Sequence, residues 1–363
     1  MVSEGANPAE GGLPTPSQDK AAEESTEVTA TALGSWPGTD AVEAARITRG
    51  ELGEPHLPYL AELPDRGVGA DSVGRTTAVL VEMPVDVQTF GWRLVDRPGA
   101  EQRRAGSLLA SDINVLADVI GAEEQPGNSL KIQLCGPWTL SASLYLHYGE
   151  RALLDAGARR DIAESLAAGI GEHLAKVSAA APGARITLQL DEPEIGRVLN
   201  GSIPTASGYR TLRSIPGQEV TRGWELVIRA ARDAGVSNVV LAVPGAEPPV
   251  DLVFAAGADG VALPLAGLVP ADWEQLAAAV EAGRQVWAGV VPTADPTVSP
   301  PQVSRLVEAV MRPWRGLGLP ARQLAALRLT PATGLAGYAP SSARTVLSRL
   351  TDTTRALNDV MAE

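Results

Sequence analysis

Ile186-Thr187-Leu188-Gln189-Leu190-Asp191-Glu192-Pro193 is the stretch on which the fold turns. Its side chains alternate, with Ile186, Leu188 and Leu190 on one side and Thr187, Gln189 and Asp191 on the other. A period of two is that of a β-strand. Pro193 suits the first position of a helix and leaves Glu192 beside the helix start, where a carboxylate is stabilising. A strand that runs directly into a helix is the building unit of an α/β fold.

Similar short apolar runs recur on both sides. They are Val28–Leu33, Thr77–Glu82, Leu130–Cys135, Arg185–Leu190, Asn238–Val243, Gly260–Leu263, Gln285–Val291 and Ala325–Thr330. Several are rich in Val, Ile or Leu and stop at Gly or Pro, as buried parallel strands do. Helical periodicity fills most gaps, over 102–122, 157–179, 220–235, 270–283, 301–317 and 341–361. Ser341 and Ser342 offer caps for the last helix. Eight strands alternating with helices predict a TIM-type (β/α)8 barrel over 29–363 as a single domain. The competing fold is a doubly wound open sheet. No G-x-G-x-x-G follows the first strand, which weighs against dinucleotide binding. Residues 38–76 read as an insertion with some helix, placed to fold over the barrel mouth.

Residues 1–28 read differently. They are rich in Gly, Pro, Ser and Glu, and carry six acids against Lys20 alone. Without apolar periodicity, this acidic tail is expected to be disordered.

Composition excludes several functions. With 363 residues, 45% hydrophobic, the chain can bury a large core. A net charge of −13 disfavours nucleic acid and anionic membranes as partners. No apolar run is long enough to span a bilayer, and Met1-Val2-Ser3-Glu4-Gly5 opens no apolar signal core, so the expected location is the cytoplasm. Cys135 is the only cysteine, so no intramolecular disulfide can form.

Barrel enzymes work at the C-terminal ends of their strands. The first run ends in Gly34-Ser35-Trp36-Pro37, where glycine admits a close ligand and serine offers a donor and an acceptor. The second ends at Glu82, a carboxylate able to hold an ammonium group if it faces inward. The third continues as Cys135-Gly136-Pro137-Trp138-Thr139, a turn into a helix whose free N–H groups suit a ligand. Cys135 itself reads as a small buried apolar residue. The fourth aims Asp191 into the mouth. His56, His147 and His173 follow no zinc-binding spacing. His147 is expected to pack on a helix and His173 to be exposed on one.

The Gly34-Ser35-Trp36-Pro37 turn, the Gly136-Pro137-Trp138-Thr139 turn and Asp191-Glu192-Pro193 occur in that order on the first, third and fourth strands. Together with Gly289-Val290-Val291 and Pro331-Ala332-Thr333-Gly334-Leu335, this set resembles the C-terminal catalytic barrel of cobalamin-independent methionine synthases, over about residues 29–360. The resemblance implies a UROD/MetE-like barrel and methyl transfer from a methylated folate to the thiol of homocysteine. It implies an amino-acid pocket with Gly34 and Ser35 in its lining, and with Asp191, joined by Glu82, holding the ammonium. It places Trp138 and Thr139 toward the methyl donor.

The family's zinc does not carry over. Its His-x-Cys falls at Ala242-Val243-Pro244, its glutamate near Pro264 and its last cysteine at Thr333. Its Asp-x-His falls at Pro292-Thr293-Ala294. Zinc is therefore not expected, and the catalytic residues stay unassigned. Two further readings stand beside a zinc-free enzyme: a non-catalytic binding or regulatory barrel, and a decarboxylase like uroporphyrinogen decarboxylase. The last would need Arg46, Arg49, Arg93 and Arg97 at the mouth to hold substrate carboxylates.

Overall fold

The computed structural model describes residues 26–363, so the reading of the tail lies almost wholly outside the described residues. Seven strands form one parallel, curled sheet. In chain order the elements begin with β1 (Thr29–Ala30), α1 (Ala41–Glu51) and α2 (Ser72–Thr77). An antiparallel hairpin follows, β2 (Val85–Gln88) and β3 (Gly91–Leu94), and then α3 (Ala100–Gly121). The repeating part comprises β4 (Ser129–Cys135), α4 (Pro137–Ser143), α5 (Ala156–Ala180), β5 (Arg185–Asp191), α6 (Ile195–Asn200) and α7 (Gly217–Asp233). It closes with β6 (Asn238–Ala242), α8 (Val250–Ala255), β7 (Gly260–Pro264), α9 (Pro270–Glu281), β8 (Gln285–Val291), α10 (Val303–Gly316), β9 (Leu327–Pro331) and α11 (Pro340–Ala362).

The sheet runs in the order β1-β9-β8-β7-β6-β5-β4. One row of paired residues crosses all seven strands: Thr29, Arg328, Trp287, Ala262, Ala242, Asp191 and Cys135. It starts at the first residue of β1 and ends at the last residue of β4. That climb is the stagger a sheet needs to curl into a barrel.

The expected second strand, Thr77–Glu82, does not form. Thr77 ends α2, and the chain then turns along α5, with Val81 N–H reaching Ser165 O at 3.5 Å and Ser165 Oγ donating to Val81 O at 2.7 Å. The ladder is therefore open between β1 and β4, not a closed eight-stranded barrel. The extended segment 57–62 occupies that gap. Leu57 N–H bonds Ala30 O at 2.9 Å, and Glu62 N–H bonds Gly34 O at 3.0 Å. On the other side, Leu60 N–H bonds Lys131 O at 2.9 Å, and Lys131 N–H bonds Pro58 O at 2.8 Å. Pro58 lacks an N–H, so this segment makes isolated bridges where a strand would make a ladder.

The segment read as an insertion thus supplies the second stave of the wall, preceded by α1 in the outer helical layer. α1 starts under Asp40, whose carboxylate accepts from Val42 and Glu43 N–H. The last helix begins after Ala339 with Pro340 in its first turn, not under Ser341 or Ser342. Among the described residues no helix is long and apolar enough to cross a membrane.

The interior of the curled sheet has two halves. Val240, Ala242, Ala262 and Trp287 on β6–β8 pack with Leu57 into an apolar cluster. The facing half, from β4 and β5, carries Lys131, Gln133, Gln189 and Asp191. Arg328 joins the two, its guanidinium 5.4 Å from the Trp287 ring centre and its Nε 2.9 Å from Thr29 Oγ1.

Candidate functional site

The polar half is one connected network. Lys131 is fully buried, and its ammonium donates to Gln189 Oε1 at 2.9 Å and Gln133 Oε1 at 3.2 Å. It also lies 5.1 Å from the Tyr59 ring centre, a cation–π contact. Each glutamine then spends its amide on the wall: Gln133 on Leu60 O at 2.7 Å, Gln189 on Leu33 O at 2.7 Å. Gln189 also donates to Asp191 Oδ1 at 2.6 Å, which aims that carboxylate from the C-terminal end of β5.

Asp191 is half-buried at this mouth. Burial pushes its carboxyl up, Glu62 adds to the rise, and Lys131 opposes it. Burial pushes the Lys131 ammonium down, against the pull of Asp191 and Glu62. Both charges are costly here, and each is sustained mainly by the other.

Glu62 is the residue the sequence reading missed. It ends segment 57–62 as Asp191 ends β5, with 4% of its surface exposed. Burial raises its carboxyl, while Arg75, Gln133 and Lys131 draw it down. The signal was present in Leu57-Pro58-Tyr59-Leu60-Ala61-Glu62, an apolar run closing on an acid, with Pro58 masking its strand character. Ser35 lies beside Glu62 through a parallel bridge, with Trp36 N–H bonding Glu62 O at 2.7 Å. Its hydroxyl sits against Gly334 so closely that a Cβ there would lie 2.0 Å from Ser35 Oγ. Gly34 is in contact with the Gln133 side chain. Asp191, Ser35 and Gly34 are therefore brought to one mouth, together with Glu62.

Glu82 stands elsewhere. It is exposed, at φ 53°, on the turn that runs along α5. Among the described residues no hydrogen bond or ion pair joins it to Asp191 or Ser35. Trp138 and Thr139 lie near the mouth but are buried, with 3% and 2% exposed. Their N–H groups donate to Glu192, at 3.1 Å to Oε1 and 2.7 Å to Oε2, and Trp224 Nε1 donates to Oε1 at 2.8 Å. The helix start expected to face a ligand is thus capped from the neighbouring strand end. Glu192 does stabilise a helix start, that of α4 and not the one following it.

Two histidines differ from expectation: His173 in its burial, and His147, which stands on an exposed turn and not against a helix. His173 is buried, not exposed, and burial followed by Arg75 lowers its imidazole to about 4. His147 is exposed and packs edge-on to Tyr148 at 5.0 Å. The arginines needed by a decarboxylase do not gather at the mouth. Arg46 and Arg49 line a cleft of about 830 Å³ between α1 and α3, at the opposite end of the sheet. Arg49 is held there by Glu123, and Arg93 by Asp86 on the hairpin.

The strand ends also test the metal. Ala242, Val243 and Pro264 offer no donor, and Thr333 offers a hydroxyl that pairs with Thr293 Oγ1 at 2.6 Å. Cys135 is fully buried and burial pushes its thiol up, the reverse of a metal-ready thiolate. Among the described residues no group of three or more His, Cys, Asp and Glu is arranged to hold a metal ion. These residues do not fit a zinc–thiolate site.

The chain is similar in structure to a B12-independent methionine synthase from Shewanella sp. W3-18-1, solved in complex with selenomethionine. The TM-score is 0.57 at 12% identity, covering 93% of this chain and 99% of that one. The likeness is one of fold. A morphinone reductase (TM-score 0.41, 11% identity, 84% of this chain and 81% of that one) and an endo-β-1,4-mannanase from Cellulomonas fimi (0.36, 16%, 67% and 57%) are more remote. No family model matches the sequence, and no curated protein does.

Proposed function

We propose that the mouth binds a small amino-acid-like ligand, with its ammonium group between Asp191 and Glu62 and Ser35 alongside, and that it does so without zinc. The observation that carries this is the pair of acids ending the two staves that flank β4, segment 57–62 and β5, both raised by burial. Two carboxylates in so dry a recess are hard to ionise together, and a ligand cation between them offsets that cost. The resemblance to methionine synthases and the selenomethionine held by the structural neighbour support an amino acid as the class of ligand.

Methyl transfer from a methylated folate to a thiol, the reaction the resemblance implies, lacks an activator here. A free thiol has a pKa near about 8.5, so only a few per cent is thiolate at neutral pH. Nothing at Ala242, Val243, Pro264 or Thr333 lowers it. Binding without thiol methylation is the better reading.

The test is calorimetric titration of the full chain with a panel of amino acids and their thioethers, beside elemental analysis for zinc. A ligand is expected to bind with affinity lowered at least about tenfold by Asp191→Asn, since a buried charged hydrogen bond is worth about 1.5–3 kcal/mol. Binding indifferent to that substitution rejects the site. Stoichiometric, tightly held zinc rejects the zinc-free reading.

A further inference from the structure

The guanidinium that faces Glu62 is shared. Arg75 Nε, on α2, lies 3.9 Å from Glu62 Oε1, while its Nη1 donates to Asp112 Oδ2. Asp112, on α3 in the outer layer, also accepts both Nη groups of Arg66, each at 2.7 Å. The side chains of Asp112 and Arg75 are 3% and 4% exposed, and that of Arg66 12%. Arg66 alone satisfies Asp112 with a two-pronged pair. A second arginine on Asp112 is surplus to that pair, and its position leaves one edge turned to the mouth.

We propose that Arg75 is a positioning residue that keeps Glu62 ionised toward the ligand, and that Asp112 sets how much of its charge Glu62 receives. This rests on the reading of the mouth as an ammonium site. Glu62 is faced by Tyr59 on its own segment, by Arg75 and Asp71 from α2 and its cap, by Lys131, Gln133 and Cys135 from β4, and by Asp191 from β5. His173, on α5, faces Arg75. Removing the charge of Asp112 leaves both guanidinium groups in place and takes away a competing anion. Glu62 then ionises at lower pH, and the mouth is ready for a cation over a wider range.

The experiment is a pH titration of the full chain carrying carboxyl-labelled glutamate, followed by carbon NMR, with Glu62 assigned from Glu62→Gln. In Asp112→Asn the Glu62 midpoint is expected to fall by about one pH unit. An unmoved or raised midpoint overturns the proposal, even if the melting temperature falls, because a purely structural Asp112 would lower stability alone. Should that variant not fold, Arg75→Lys is expected to raise the midpoint, since a shorter point charge stays with Asp112. An unmoved midpoint there overturns it equally. The titration needs no ligand, so it is decided separately from the ligand panel. Failure of the panel with a shifted midpoint rejects the ammonium site and leaves the charge-sharing intact.

Discussion

Glu192 accepts the backbone N–H of Thr139 at 2.7 Å, so an acid at the end of one strand caps the helix that follows the strand before it. The same carboxylate takes the Trp138 N–H and the indole of Trp224. Three donors, all buried, depend on one side chain. Glu192→Ala leaves them unpaired and is expected to cost about 3 kcal/mol or more in urea denaturation. Loss of under about 1 kcal/mol would mean that water replaces the carboxylate.

His173 sets a second expectation, in pH. Its imidazole is held down to about 4 in the folded chain, against an ordinary 6.5. Between these values the unfolded chain carries the extra proton, so stability rises with pH. The contribution is fully present above pH 6.5 and is lost as pH falls through 4. His56, also lowered to about 4, acts in the same sense, whereas Glu192, raised to about 7, acts in the opposite one. His173→Gln should therefore flatten the rise between pH 4 and 6.5 by one proton, about 1.4 kcal/mol per pH unit. Parallel slopes in the two proteins would show that His173 titrates normally.

Gly34 sits at φ 134°, and a Cβ there would lie 2.7 Å from Gln133 Cδ. Gly34→Ala is expected to strain the backbone and push Gln133 off Leu60 and Lys131. A stability loss of about 2 kcal/mol follows, read from chemical melts. An unchanged melt would show that Gln133 has room to retreat.

Cys135 should be silent toward an aromatic disulfide reagent in the native state and react once per chain in denaturant. It is fully buried and its thiol is raised by burial. Rapid native labelling would place it at an open surface and contradict its reading as a buried apolar residue.

Regular strands were legible because their chemistry is local. Gln285–Val291 has the bounds its apolar run suggests, and Arg185–Asp191 extends its expected run by one residue. Alternation also placed Gln189 and Asp191 together on the inner face. The second stave was not legible. Thr77–Glu82 has better strand composition than 57–62, yet the chain has already passed the gap when it reaches Thr77. That order is decided by where α1 returns the chain, at the Gly53–His56 turn, which the run lengths do not encode. Glu82 was displaced with its run, and Glu62 arrived with the true one. Burial of His173 was hidden because polar and apolar residues mix along α5, so the inward face has no clean stripe.

Segment 57–62 holds the wall by single stitches, where every other neighbouring pair except β1 and β9 is laced along several residues. The wall thus has a seam, and Ser35 and Glu62 sit on its two lips. A molecule gripped by both is a clasp: filling the mouth and fastening the seam become one event. Proteolysis and amide exchange along 57–62 then report occupancy of the mouth, as a loose hem reports an open fastening.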